Sequence, residues 1–184
     1  MFIHNIKKGQ KRNEPVNKTE LVNAWVLYTD GSKVKEDEEQ ARWAFGLKYS
    51  GKKVVEKQGI IIGSAQTADV EGVLQGLKEC QQRKLQEVTV VTDSFFVQQG
   101  LEKELKFWKL NGWMNGRNKL LEQKEQREEI DKILADMEIQ IIHQKAHTKG
   151  TGELCKGNQE VDELARLRMI ILGSLGTQRP TFKW

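Results

Sequence analysis

The chain has little cysteine and no long hydrophobic run. Its 184 residues contain two cysteines, Cys80 and Cys155, far apart and in no paired spacing. That arrangement suggests neither a disulfide framework nor a clustered zinc site, and it suits a reducing compartment. A site built from His143, His147 and Cys155 would lack a fourth ligand. No apolar stretch approaches the roughly 20 residues of a bilayer-spanning helix, so no membrane association is expected. Residues 1–20 are basic and polar and lack the apolar core of a signal peptide. The sequon Asn17-Lys18-Thr19 therefore carries little weight. Internal repeats and low-complexity segments are also missing.

What is present is one domain's length of chain, enough for a core without covalent staples. The net charge of +4 is modest, and its distribution is more telling. Lys7, Lys8, Lys11 and Arg12 form a basic head. Lys103, Lys106, Lys109, Arg117 and Lys119 form a second cluster, interleaved with Phe107, Trp108 and Trp113. A solvated charged face seldom carries that many aromatic rings.

Hydrophobic periodicity orders the elements. Residues 24–30 read as a strand, 41–49 and 52–62 as a hairpin around Ser50-Gly51-Lys52, and 66–83 as a helix with apolar positions at Val70, Val73, Leu74 and Leu77. A strand over 87–92 follows, then a short helix capped by Ser94 and a second short helix from Glu104 to Gly112. Residues 121–137 read as an amphipathic helix, 138–143 as a strand, 144–157 as a loop and 158–172 as a final helix. Residues 1–22 are expected to be a flexible basic tail, 23–172 the domain, and 173–184 a tail or linker. The order implies an α/β (mixed α+β) fold: a five-stranded mixed sheet, an antiparallel three-strand meander plus parallel strands, flanked by helices.

Two of these strands end alike. Tyr28-Thr29-Asp30-Gly31-Ser32 is echoed by Val91-Thr92-Asp93-Ser94. Adjacent strands ending in aspartate would bring two carboxylates together at the rim of the sheet. Such a pair is costly unless a cation lies between them, and oxygen-only donor sets suit Mg²⁺ or Mn²⁺. The pattern suggests phosphoryl transfer with divalent metal.

With the segment Ser64-Ala65-Gln66-Thr67-Ala68-Asp69 and the run Asn158-Gln159-Glu160-Val161-Asp162-Glu163-Leu164-Ala165, the chain resembles ribonuclease H of the type-1 fold over about residues 24–170. Its charged turn after the first strand and its Ser64-Ala65-Gln66 resemble the retroviral and retroelement reverse-transcriptase branch. The segment around Lys106-Phe107-Trp108-Lys109 resembles that family's basic protrusion helix.

The resemblance implies metal-dependent endonucleolytic hydrolysis of the RNA strand of RNA–DNA hybrids, with two Mg²⁺ (or Mn²⁺) ions held by Asp30, Asp69, Asp93 and Asp162. His147 would assist proton transfer or product release. Gly31, Ser32 and Gln66 would read the minor groove. Ser94 and Asn158 would hold phosphates or cap helices. Lys106, Lys109 and Arg117 would meet phosphates, while Trp108 and Trp113 would stack on the DNA strand or pack the protrusion onto the body. Implied partners are the hybrid and a reverse-transcriptase polymerase domain. The isolated domain is expected to be a monomer in the cytoplasm or nucleus, or virion-associated if viral.

One position stays open. The family's second acid is a glutamate, and here Asp69 and Glu71 compete for it. Two residues apart on a helix they point about 200° apart, so both cannot serve one site. Asp69 is preferred because it keeps Gln66 three positions upstream. Being one methylene shorter than glutamate, it leaves a catalytically weakened hybrid- or duplex-binding module as the alternative. A polymerase connection domain ranks last, since all four acidic positions are filled. The aspartate-x-glutamate spacing of Asp93 and Glu129, as in integrases, reads as a charged helix face.

Overall fold

The computed structural model describes residues 21–34, 39–146 and 150–167, and the backbone of 6–7. These residues form three layers. A six-stranded sheet in the order β1-β6-β5-β2-β3-β4 lies between helices on both faces. The five expected strands are present as β2 (Trp25–Lys33), β3 (Gln40–Tyr49), β4 (Lys52–Ile62), β5 (Glu87–Thr92) and β6 (Glu138–His143). β2, β3 and β4 form the antiparallel meander, and β2, β5 and β6 pair in parallel. The sequence reading places no element in the N-terminal tail, yet β1 (Ile6–Lys7) pairs in parallel with Ile139 and Gln140. A two-residue strand has no periodicity to announce it. Positions 1–5, 8–20 and 173–184 of the expected tails, and 168–172 at the expected end of the final helix, lie outside the described residues.

Alternation along the strands sorts the core. Leu27, Phe45, Leu47, Val90, Ile139 and Ile141 face one way, against α1 (Ala65–Gln82) and α4 (Lys124–Ile133). Val26, Tyr28, Ala44 and Val91 face the other way, against Val161 and Ala165 of α5 (Glu153–Arg166). Each fully buried Leu or Ile of the larger cluster contributes about 1.5–3 kcal/mol. α1 starts at a capping box, in which Ser64 Oγ accepts from the Thr67 amide and the Thr67 hydroxyl accepts from the Ser64 amide.

Two helices depart from expectation. The two short helices after Ser94 are one continuous helical rod: α2 (Phe95–Gln99), a π-helical segment (Gly100–Glu104) and α3 (Leu105–Leu110). The final helix starts at Glu153, five residues before Asn158, because Gly152 adopts the extended N-cap conformation and Glu153 supplies first-turn negative charge. Asn158 is thus a buried interior residue of α5 and caps nothing.

Candidate active site

The register of the parallel strands builds the site. Thr29 pairs with Thr92, so Asp30 and Asp93 follow at the same level at the C-terminal end of the parallel β2–β5 ladder, beyond which β2 runs on to Lys33 against β3. Such ends are where open α/β sheets present ligand sites. α1 approaches β2 closely here. A Cβ on Gly31 would collide with the Asp69 backbone and lie 2.8 Å from Asp69 Oδ1. Glycine at position 31 lets the helix deliver Asp69 to Asp30.

The electrostatics report the convergence. The Asp30 carboxyl is held far above the usual range, first by burial and then by the charges of Asp93, Asp69 and Asp162. Asp69 is pushed up to about 7 by burial and by Asp93, against the lowering effect of hydrogen bonds from the Ser94 hydroxyl and the Gly31 amide. Four carboxylates therefore share one field.

They differ in how far they are committed elsewhere. Asp162 Oδ1 lies 2.9 Å from Arg166 Nη2, one helical turn on. Among the described residues no three of these groups close into a ready cage for an ion. The donor set still fits a hard divalent cation: it is all oxygen, partly buried, and self-repelling. Asp30, Asp69, Asp93 and Asp162 are the residues that would hold such an ion.

Glu71 points away. Its carboxylate accepts from Gln75 Nε2 at 2.7 Å and from Gln126 Nε2 of α4 at 3.1 Å. Of the two acids left open by the sequence, Asp69 is the one beside Asp30 and Asp93.

Several other expected site residues have structural duties. The Ser94 hydroxyl caps α2 by accepting from the Val97 amide, and it also bonds Asp69. Ser32 Oγ donates to the Ala165 carbonyl at 2.7 Å, tying β2 to α5. Gln66 is exposed at the start of α1. His147 lies outside the described residues. His143, read from sequence as structural, donates from Nε2 to the Asp93 carbonyl at 2.9 Å and meets Phe95 edge-on.

The basic protrusion requires a correction. Trp108 is 7% exposed, with the Arg127 guanidinium 4.2 Å from its ring centre, so its ring belongs to the core and presents no stacking surface. Trp113 is half-buried against the larger core cluster. Lys109 forms a 2.8 Å ion pair with the buried Asp131. Lys106 and Arg117 are exposed, as are Lys103, Phe107 and Leu110. Sequence reasoning missed Phe107 and Leu110 as the outward apolar groups. Extending the Val97–Leu101–Leu105 stripe by one turn reaches Trp108 and would have marked it as inward.

The RNase H family model matches residues 22–169. Rat Ribonuclease H1 is 29% identical over 144 residues, covering 77% of this chain and 48% of the relative. Ribonuclease H of Legionella pneumophila (strain Corby) is 30% identical over 145 residues, covering 77% and 93%. The Pro-Pol polyprotein of simian foamy virus type 1 is 32% identical over 153 residues, covering 77% and 13%. The chain thus spans about half the length of the rat enzyme and a small part of the viral polyprotein. Among solved structures, the solution structure of the PFV RNase H domain superimposes with a TM-score of 0.64 at 27% identity, covering 80% of this chain and 94% of that one. A foamy viral protease-reverse transcriptase in complex with RNA/DNA hybrid gives a TM-score of 0.69 at 23% identity, over 88% of this chain and 22% of that one, and supports the fold alone. From the family match across most of its length, the chain belongs to the RNase H family.

Proposed function

We propose that this chain is a divalent-metal-dependent endonuclease that hydrolyses the RNA strand of RNA–DNA hybrids. The observation that carries the reading is the convergence of Asp69, Asp93 and Asp162 on the buried Asp30 in one partly buried, mutually repelling cluster at the sheet rim. Two divalent ions bound there would supply an activated water and a stabilised leaving oxygen. The residues themselves do the rest. Asp30 within β2 and Asp93 directly after β5 set the position of the charge. The Gly31 amide and the Ser94 hydroxyl hold the Asp69 carboxylate in place. The His143 bond to the Asp93 carbonyl steadies the turn that carries that aspartate. His147 remains the candidate for moving a proton on the product side, since an imidazole titrates near neutral pH.

Recognition would rest on shape and sugar. The minor groove of an A-like duplex displays 2′-hydroxyls, which separate RNA from DNA. Exposed Gln66 and the backbone at Gly31 and Ser32 are suited to that contact, the Ser32 hydroxyl being engaged by Ala165. Lys106 and Arg117 are suited to phosphates. A reverse-transcriptase polymerase domain is the proposed partner, in keeping with the foamy-virus relatives.

The test is cleavage of a hybrid labelled on its RNA strand, with Mg²⁺ or Mn²⁺. We expect metal-dependent cutting that is lost in Asp93→Asn. Undiminished cleavage by that variant would refute the site. A weakened binding module is the second reading, favoured by the shorter Asp69 and by the tie of Asp162 to Arg166. Wild-type binding without cutting, with cutting restored in Asp69→Glu, would decide for it.

A further inference from the structure

Arg127 of α4 is the largest side chain that is fully buried, at 1% exposure. Its guanidinium lies 4.2 Å from the ring centre of Trp108 and 5.0 Å from that of Phe96. Its Nη1 sits where a Cβ on Gly100 would come within 2.6 Å. Nε and Nη2 have no hydrogen-bond partner among the described residues. Burial lowers the guanidinium to about 10, with Glu104 acting in the opposite sense, so the group remains charged at neutral pH.

As core packing this is a poor choice. A buried charge with two unmet donors costs several kcal/mol, and an apolar side chain of similar size would often do as well or better. What sets the position apart is what it grips. Phe96, Gly100 and Trp108 lie at the start, middle and far end of the helical rod 95–110. Gly100 opens the π-helical segment, the kind of insertion that rephases a helix and often occurs at functional sites.

The rod joins two places. At its start, Ser94 bonds Asp69 in the acidic cluster. Farther along, the exposed Lys103, Lys106, Phe107 and Leu110 fall at helical spacing on one face, opposite buried Val97, Leu101, Leu105 and Trp108. Lys106 stands twelve residues beyond Ser94, about 18 Å along a helix, or roughly five nucleotide steps on one strand. The axial and rotational setting of the rod therefore fixes where this face meets a duplex whose scissile phosphate lies at the carboxylates. Two aromatic faces and a glycine clasping one planar cation define that setting in rotation and translation. An aliphatic side chain would fill the space without fixing the phase.

We propose that Arg127 is a positioning residue for duplex binding, which locks the rod 95–110 in the register that presents Lys103, Lys106, Phe107 and Leu110 to the hybrid. The inference rests on the hybrid-nuclease reading above.

The test uses the full chain with Arg127→Leu, Arg127→Lys and Gly100→Ala, measured on a labelled hybrid in Mg²⁺ alongside thermal unfolding. We expect Arg127→Leu to raise KM about tenfold with kcat within twofold and with no loss of Tm. Arg127→Lys, which keeps the charge but not the plane, should rescue only partly. Gly100→Ala, which displaces Nη1, should shift KM in the same direction. In a double-mutant cycle, Lys106→Ala should weaken binding in the wild-type background and change little in Arg127→Leu. An unchanged KM in folded Arg127→Leu, or strict additivity with Lys106→Ala, overturns the proposal. If Arg127→Leu fails to fold, Gly100→Ala and Arg127→Lys carry the same KM criterion. A wild-type chain that cuts no hybrid would instead refute the function on which the proposal rests.

Discussion

Two buried charged sites in this molecule meet the cost of burial in opposite ways. At the sheet rim, Asp30 and Asp69 lie among like charges, and burial together with that repulsion drives their carboxyls towards the protonated form. Beneath the rod, Arg127 is a lone cation that keeps its charge and lies against two aromatic faces, which offer a negative quadrupole in place of a carboxylate. The first site gathers like charges of a kind that a hard cation would relieve. The second keeps its charge despite two unmet donors and exerts its effect on the rod it clasps. Clustered like charges mark chemistry, while a lone cation held between rings marks architecture.

The comparison can be tested at several strengths. Replacing Asp30 with Asn should have the largest effect, reducing hybrid cleavage by at least about 10³-fold, since charge stabilisation of several kcal/mol is removed; single-turnover cleavage measures it.

Next in size is the pH dependence of the metal-free protein. Asp69 has a folded-state pKa of about 7, above its value in the unfolded chain, so the folded state binds that proton more tightly. The contribution is fully present below about pH 4 and is lost as pH rises through 7. Denaturant melts should therefore show wild type losing up to about 4 kcal/mol relative to Asp69→Asn across that interval. Saturating Mg²⁺ should narrow the difference.

The protrusion offers a contrast between adjacent residues. Trp108→Ala should destabilise by about 3–5 kcal/mol as a core truncation. Phe107→Ala should shift stability by no more than about 0.5 kcal/mol while weakening hybrid binding. Thermal melts paired with titrations against hybrid separate the two. The smallest effect should come from Glu71→Gln, which retains a side chain able to bond Gln75 and Gln126 and should cleave within about twofold of wild type.

Much of this was legible in the chain. The Thr-Asp echo, the meander and the strand–helix alternation lie in local patterns, and the structure repeats the strands with near-identical limits except that β2, expected to end at Asp30, runs on to Lys33. The choice between Asp69 and Glu71 needed tertiary information, because it depends on which face of α1 meets β2 and which meets Gln126 of α4. The rod was broken in two in the sequence reading because polar residues around Glu102 to Glu104 interrupt the apolar pattern, and with the break went the phase that turns Trp108 inward. Arg127 gave no local signal at all. In a run of charged residues a helix arginine reads as solvated, and only the distant Phe96, Gly100 and Trp108 make it a core residue.

The most direct measurement is anomalous diffraction from crystals of the chain soaked in Mn²⁺. The account expects two peaks about 4 Å apart at the end of the β2–β5 ladder, with Asp30 and Asp93 in contact and Asp69 completing the shell. Peaks elsewhere, or an ion ligated by Glu71 with Asp69 turned away, would contradict it.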